Sequence, residues 1–414
     1  MAANHAGPAI TISFIISAIS CVLAGLSYAE FTSITPISGS AYSYSYMTIG
    51  EIFAWIIGWD LILEYLFCLS TVAVGWSGYF NQILQNIGIH LPAYLMNSPL
   101  MFSQAGGLEL SGSLINLPAM FIIAVIGIIV AKGLKESNLF NTIIVITKLL
   151  IIFLFIGFGI SYINPGNWIP YIPPNTGVFG QFGLSGILTG AGLVFFSYIG
   201  FDALSTFAQE TKNPKKNIPI AIIASLAICT ILYVIVSAIL TGMVPYTQLD
   251  VTAPISIAIE TMGANFTWLN IIVDIGAIFG ITSVILVFCM GLTRILYSIS
   301  KDGLLPKFLS KVGKKNKTPY NATIILAIFG MILAGILPLS FLNELTSIGT
   351  LLAFTLVSAA VIILRKTKPN LKRGFKVPLM PLVPILGIAI CLAQMIALPV
   401  PTWERLIIWM ILGL

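Results

Sequence analysis

Long apolar runs follow one another along almost the whole chain, and they restrict it to one class of fold. A transmembrane α-helix needs about 20 mainly apolar residues to cross the hydrocarbon core. Of the 414 residues, 58% are hydrophobic and only 8% are charged, whereas about 25% of residues are charged in a soluble domain. We therefore predict an all-α integral membrane protein with about eleven spans. These spans are 9–31, 52–84, 114–132, 138–162, 184–208, 218–243, 269–299, 320–338, 343–365, 378–398 and 401–414.

Few residues in the chain could hold a metal or a cofactor. The five cysteines lie inside apolar runs with no paired spacing, which is typical of small core residues rather than of disulfides or metal ligands. The two histidines are far apart and lie near predicted loops. We expect neither metal nor cofactor, and no nucleophile set in the spans indicates an enzyme. The residues concerned are Cys21, Cys68, Cys229, Cys289, Cys391, His5 and His90.

Lysine and arginine are concentrated in alternate loops, which predicts how the protein is oriented in the membrane. Loops rich in these residues remain in the cytoplasm. The basic loops are 132–135, 212–216, 301–317 and 365–376. The alternate loops without either residue are 86–112, 163–183 and 244–268. The net charge of +6 therefore indicates how the protein is oriented in the lipid bilayer, and not a nucleic-acid partner.

Several ionisable residues interrupt the apolar runs. A charged side chain at the centre of the bilayer costs about 2.5–3.5 kcal/mol on insertion scales, so such residues indicate function by default. Glu30 and Glu344 lie close to span ends, where water is accessible, and for them we favour a structural role. The other candidates are Asp60, Glu64, Lys148 and Asp202 within the spans, and Asp274 near the outer end of its span.

Lys148 lies deepest among the basic residues, within the apolar stretch 140–161. It is about ten residues from the inner end of its span, or ~15 Å along a helix, which is near the midplane of the membrane. Its ammonium is difficult to extend to either interface from there. Two alternatives remain for this side chain. It is either a permanently charged brace in a polar network, or a proton carrier that alternates between charged and neutral forms.

The stretch GAGLVFFSYIGFDALSTFAQE, residues 190–210, contains a short polar break between two apolar halves. Its glycines are compatible with close helix packing. Gly200 beside Asp202 is equally compatible with a discontinuous helix, whose unwound backbone can bind a charged substrate. A further polar pair, Thr282 and Ser283, lies in another span. Alone, these two hydroxyls indicate little, because they can bond to the preceding turn.

Longer motifs resemble a known family along essentially the whole chain. They are AANHAGPAI (2–10), the segment 28–65 from YAEF to ILEY, NTIIVITKLL (141–150), FFSYIGFDALSTFAQETKNPKKNIP (195–219), LTRILYSISKDGLLPK (292–307) and LTSIGTLLAF (345–354). The chain resembles a bacterial member of the amino acid–polyamine–organocation superfamily, close to its cationic amino acid transporter branch.

The resemblance implies an inverted repeat of five plus five helices in a single transmembrane domain, 1–414. Residues 9–162 would form the remainder of the first repeat and 184–365 the second. Two additional spans would occupy 378–414, of which the last is expected to be truncated. The implied function is secondary active amino acid transport in the plasma (inner) membrane, with proton-coupled import by alternating access.

The resemblance also implies roles for individual residues. The carbonyls of Phe196, Ser197 and Ile199 would accept hydrogen bonds from the substrate ammonium. Ile281 would limit the size of the substrate side chain, which favours small neutral amino acids. The acids that would lie beside the pocket are Asp202 and Glu64. Because they are acidic, cationic amino acids remain an alternative substrate class. The residues implied in proton coupling are Lys148, Thr282 and Ser283. The amine of Lys148 would fill the position that a sodium ion occupies in sodium-coupled relatives, and it would reach the hydroxyls of Thr282 and Ser283.

The chain departs from this family pattern at its start. Relatives carry a first helix with a Gly-rich break ahead of the residues that match AANHAGPAI, and the span 9–31 must run from outside to inside. We therefore expect this chain to lack the first helix, and we do not expect it to transport as it stands. The alternative to a transporter is a truncated, non-transporting remnant or a membrane interaction protein.

Overall fold

The computed structural model is built almost entirely of helices. It describes residues 2–34, 40–102, 108–133, 138–204, 211–251, 253–313 and 318–413. The α-helices are α1 (Ala2–Ala6), α2 (Ile10–Ile34), α3 (Ser40–Thr48), α4 (Glu51–Asn86), α5 (Leu117–Ala131), α6 (Asn138–Gly159), α7 (Gly183–Val194), α8 (Pro214–Met243), α9 (Pro254–Glu260), α10 (Thr267–Lys301), α11 (Tyr320–Ile336), α12 (Leu339–Thr367), α13 (Leu382–Ile396) and α14 (Val400–Gly413). A short antiparallel hairpin joins β1 (Leu100–Phe102) to β2 (Leu108–Leu110), with Leu100 opposite Leu110.

Each predicted span coincides with a helical segment, although the segments differ in length. In the described part of the chain, seven helices are long and apolar enough to cross a membrane, or eight if the bent pair α13 and α14 is one span. α13 and α14 meet at an angle of 114°. Two further apolar helices, α5 and α11, are shorter. Positions outside the described residues are 205–208 of one predicted span, and Lys135, Lys314, Lys315 and Lys317 of the basic loops.

α4 forms the centre of the helix bundle. It contains 36 residues, which corresponds to ~54 Å at 1.5 Å per residue. It packs most extensively against α10 and α12, and also against α5 and α11. Every side chain from Asp60 to Val74 except Val72 is buried. The polar residues of this stretch are therefore enclosed by protein rather than by lipid.

α2 organises a second group of helices, packing against α7, α8 and α13. α6 lies at the edge of the bundle, where it contacts α10 and α8. Much of α6 is exposed, including Ile143, Ile146 and Leu150. Exposed apolar side chains on a spanning helix are stable because lipid tails are as apolar as they are.

Glu30 lies in the last turns of α2. Its position near a span end predicted access to water, but protein encloses it. It is fully buried and accepts hydrogen bonds from Arg365 Nε at 2.7 Å and Nη2 at 2.6 Å. The backbone N–H of Val377 donates to it at 2.7 Å, and Arg373 Nε lies 3.0 Å away. The expected structural role is thus supported, but through two arginines rather than through water.

Glu344 has a comparable role at the start of α12. Its Oε2 accepts from Arg405 at 2.9 Å and from the Thr402 hydroxyl at 2.8 Å. Arg405 also lies over the ring of Phe341, 4.2 Å from its centroid. This cluster joins α12 to α14.

Candidate functional site

The helix that begins at α7 is discontinuous, as Gly200 and Asp202 indicated. α7 ends at Val194, and a 3-10 turn follows at Phe195–Tyr198. Ile199 is extended, with φ −63° and ψ 138°, and Gly200 has φ +122°. Only glycine adopts such a positive φ without steric cost. The prediction of a broken helix is therefore confirmed, and glycine is the residue that permits it.

Two backbone carbonyls in this break already accept hydrogen bonds. The carbonyl of Phe196 accepts from the N–H of Ile199 at 3.2 Å. The carbonyl of Ser197 accepts from the hydroxyl of Tyr233, on α8, at 2.7 Å. Each carbonyl oxygen has two lone pairs, so both keep the capacity to accept a bond from a ligand. Sequence reasoning missed Tyr233, because nothing in its apolar surroundings distinguishes it from a packing residue.

Asp202 bonds to the backbone of the break and to α4. Its Oδ1 accepts from the backbone N–H of Gly200 at 3.1 Å, and its Oδ2 accepts from the hydroxyl of Tyr65 at 2.7 Å. Asp202 is fully buried. Both carboxyl oxygens are thus engaged in holding the unwound backbone against α4. The structure gives Asp202 a positioning role beside the break, and it adds Tyr65, which the sequence did not single out.

Glu64 and Asp60 lie one turn apart on α4 and are both fully buried. Within the described residues, none of their four carboxyl oxygens has a hydrogen-bond partner in good geometry. Glu64 interacts electrostatically with both Asp202 and Asp60. A Cβ at Gly349 of α12 would lie 3.5 Å from Asp60 Oδ1, so Asp60 faces that helix. The three acids therefore form one buried acidic group next to the break.

Lys148 and Ser283 come together across α6 and α10. The Lys148 Nζ donates to the Ser283 hydroxyl at 2.6 Å, and that hydroxyl donates to the carbonyl of Gly280 at 2.9 Å. A Cβ at Gly280 would lie 3.1 Å from the Lys148 Cε, so the glycine leaves room for the lysine stem. A continuous donor chain thus runs from the amine to the backbone of α10.

Thr282 faces another direction from its neighbour Ser283. Its hydroxyl accepts from the indole N–H of Trp76, on α4, at 3.0 Å and donates to the Ile278 carbonyl at 2.7 Å. Successive residues on an α-helix lie about 100° apart around its axis, which separates the two hydroxyls. Lys148 is therefore brought to Ser283, whereas Thr282 joins α10 to α4. Ile281 is half-buried and packs against the main core.

A surface cavity lies away from these residues. It has a volume of about 370 Å³ and opens beside the hairpin, between the end of α4 and the start of α5. None of the residues predicted from the sequence lines it. Among the described residues, no group of three or more His, Cys, Asp or Glu side chains could hold a metal ion.

Known proteins resemble this chain over its whole length. The family described as "Amino acid permease" matches residues 1–414. The chain is 46% identical over 413 residues to the "Methylthioribose transporter" of Bacillus subtilis (strain 168), covering 100% of this chain and 86% of that protein. It is 47% identical over 410 residues to the "Branched-chain amino acid permease BcaP" of the same organism, covering 99% and 85%.

A plant protein extends the comparison. The chain is 36% identical over 369 residues to the "Cationic amino acid transporter 3, mitochondrial" of Arabidopsis thaliana, covering 89% of this chain and 58% of that protein. These relatives are transporters and permeases rather than enzymes. The chain is a multi-pass membrane protein that belongs to the amino acid permease family of the amino acid–polyamine–organocation superfamily.

Proposed function

We propose, contrary to the expectation drawn from its first residues, that the chain is a secondary active transporter that imports amino acids across the plasma membrane by alternating access. The observation that carries this proposal is the unwound segment Phe195–Gly200. Backbone groups released from helical hydrogen bonds can bind the ammonium and carboxylate of an amino acid. Such irregular backbone is stable at membrane depth only beside protein or a water-filled cavity. Membership of the amino acid permease family supports the substrate class.

The proposed orientation follows from charge. The basic loops 212–216 and 365–376 face the cytoplasm, in accord with the positive-inside rule. The loops 163–183 and 244–268, which lack lysine and arginine, face outwards. Import then moves the substrate from the side of α9 to the side of α3.

Proton coupling is proposed to act through Lys148. When protonated, its ammonium donates to Ser283 and connects α6 to α10. A hydrogen bond from a charged donor contributes about 1.5–3 kcal/mol. Loss of the proton weakens this connection and allows α6 and α10 to separate. The proton thereby favours one arrangement of the helices and its release favours the other.

The substrate class is proposed to be neutral amino acids. Ile281 is half-buried on α10 and would shorten the pocket at the substrate side chain. A relative named as a branched-chain amino acid permease, 47% identical, supports this choice. A second candidate is a cationic amino acid. The fully buried carboxyl of Glu64, which belongs to the acidic group next to the break, favours it.

Uptake into proteoliposomes tests the proposal. We expect an inward proton gradient to drive accumulation of labelled leucine, and unlabelled alanine to compete better than arginine. Stronger competition by arginine than by alanine would favour the cationic alternative. An absence of uptake and of binding for all three amino acids would contradict transport and favour a non-transporting membrane protein.

Lysine variants test the coupling. Lys148→Ala should reduce proton-driven uptake to the level of protein-free liposomes. Lys148→Arg keeps the charge but cannot release its proton, so it should bind substrate without a pH-dependent response. Lys132→Ala, an exposed lysine in a loop, is the matched control and should behave as the unchanged protein. An unaltered pH profile in Lys148→Ala would contradict the proposed role.

A further inference from the structure

A second buried polar site lies near the start of α10, remote from the break. Asp274 is at the start of the third turn of α10 and is fully buried. The hydroxyl of Ser256, on α9, donates to Asp274 Oδ1. The other oxygen, Oδ2, has no hydrogen-bond partner within the described chain. One carboxyl oxygen is thus available in a position closed to solvent.

Asn270 lies one helical turn before Asp274 and is only 6% exposed. Its Oδ1 also has no hydrogen-bond partner among the residues described. Side chains four positions apart lie next to each other on the same helix face. Two buried acceptors on one face of α10 are therefore each without a hydrogen-bond partner among the described residues. A buried acceptor without a partner costs about 1–3 kcal/mol, and such groups in native proteins commonly indicate an ion or a water.

The surroundings of this pair are negative. Glu260, at the end of α9, interacts electrostatically with Asp274, and its Oε1 accepts from Gln82 of α4 at 3.2 Å. The adjoining loops 86–112 and 244–268 contain no lysine or arginine. Lys148 does not balance this charge, because its partner Ser283 lies nine positions beyond Asp274 and so faces roughly the opposite side of α10.

We propose that Asp274, Asn270 and Ser256 form a site for a small monovalent metal cation of the sodium class. The three residues offer carboxylate, amide and hydroxyl oxygens, which suit a hard cation. A single carboxylate in direct contact balances a single positive charge, whereas sites for divalent cations usually use more carboxylates. The cation accepts the free electron pairs of both unpartnered oxygens.

The bound cation connects α9 to α10. Ser256 belongs to α9 and Asp274 to α10, and Glu260 extends the contact to Gln82 on α4. Occupation of the site therefore holds the segment around α9 over the ends of two long helices. This role is separate from substrate binding at Phe195–Gly200, and it does not depend on the proposed transport function.

Thermal unfolding and ion binding of the purified chain in detergent test the inference. At neutral pH and constant ionic strength, NaCl should raise the melting temperature in a saturable manner, and choline chloride should not. Radioactive sodium should bind to the unchanged protein and be displaced by unlabelled sodium. In Asn270→Ala, the half-saturating sodium concentration should rise about tenfold or more, equivalent to ~1.4 kcal/mol for each factor of ten.

Asp274→Asn should abolish both responses, while the exposed Asp250→Asn should retain them. Sodium binding to the unchanged protein and the milder Asn270→Ala variant keep the test decisive if Asp274→Asn fails to fold. An absence of sodium binding to the unchanged protein would overturn the inference. Stabilisation by acid alone would also overturn the inference, because a proton on Asp274 would then donate to the Asn270 carbonyl in place of a cation. An identical sodium response in Asn270→Ala would overturn it as well.

Discussion

The hydrogen bond from Tyr65 to Asp202 is expected to determine how firmly the unwound segment is held. Asp202 accepts from Tyr65 at 2.7 Å and from the N–H of Gly200 at 3.1 Å. Tyr65→Phe removes only the hydroxyl and leaves the buried carboxyl with one donor fewer. The loss of one partner of a buried polar group costs about 1–3 kcal/mol. Because every 1.4 kcal/mol is a factor of ten, local opening of the segment should become about 5- to 150-fold more frequent.

Hydrogen–deuterium exchange measured by mass spectrometry on the peptide 195–204 provides the assay. When closing is fast relative to chemical exchange, the exchange rate follows the population of the open form. Exchange at the Gly200 amide should accelerate by the factor given above. Peptides from α11, which is remote from Asp202, should exchange as before.

Tyr28→Phe is the matched control. Tyr28 is also a fully buried tyrosine, and its ring packs against Phe201 with centroids 6.0 Å apart. Its hydroxyl, however, has no hydrogen-bond partner among the described residues. Its removal should therefore leave exchange at 195–204 nearly unchanged. Equal acceleration in both variants, or none in Tyr65→Phe, would refute the reasoning.

Two further predictions concern stability and are measured by thermal unfolding in detergent. Gly200→Ala forces a side chain into φ +122° and should cost about 1–3 kcal/mol. Gly157→Ala, in an open helical position, should instead be neutral or stabilising by up to ~1 kcal/mol, so equal effects would contradict the argument. Glu30→Gln leaves two buried arginine contacts uncompensated and should cost about 3–5 kcal/mol. The exposed Glu51→Gln should change stability by less than ~0.5 kcal/mol, and a Glu30→Gln effect as small as that would show that the ion pairs contribute little.

The positions of the helices could be predicted closely from the sequence. α4 occupies 51–86 where 52–84 was expected, and α8 occupies 214–243 where 218–243 was expected. Apolar length is a local property, and a helix in lipid satisfies all its backbone hydrogen bonds internally. The break at Gly200 was also predictable, because a glycine next to a polar residue in an apolar run is a local signal.

The contacts of the site were only partly predictable. Lys148 was expected to reach hydroxyls on another span, and it contacts Ser283. Thr282, expected beside it, instead contacts Trp76. The rotation of α10 decides between these neighbouring hydroxyls, and an apolar run with little periodicity does not specify that rotation. For the same reason, the sequence did not identify Tyr65 and Tyr233 as part of the site. In the sequence they resemble aromatic packing residues, and only their hydrogen-bond partners distinguish them.

The sequence by itself determined the membrane class of the chain and the location of its helices, and it marked Gly200 as a place where one of them can unwind. These properties depend on residues that are close together in the chain. Tertiary structure alone decided contacts between residues that are distant in sequence: Tyr65 and Asp202 are 137 positions apart, and Trp76 and Thr282 are 206 apart. It also decided that Glu30 is enclosed by arginines rather than by water. Burial and partner choice depend on how helices pack, and packing is a property of the whole bundle.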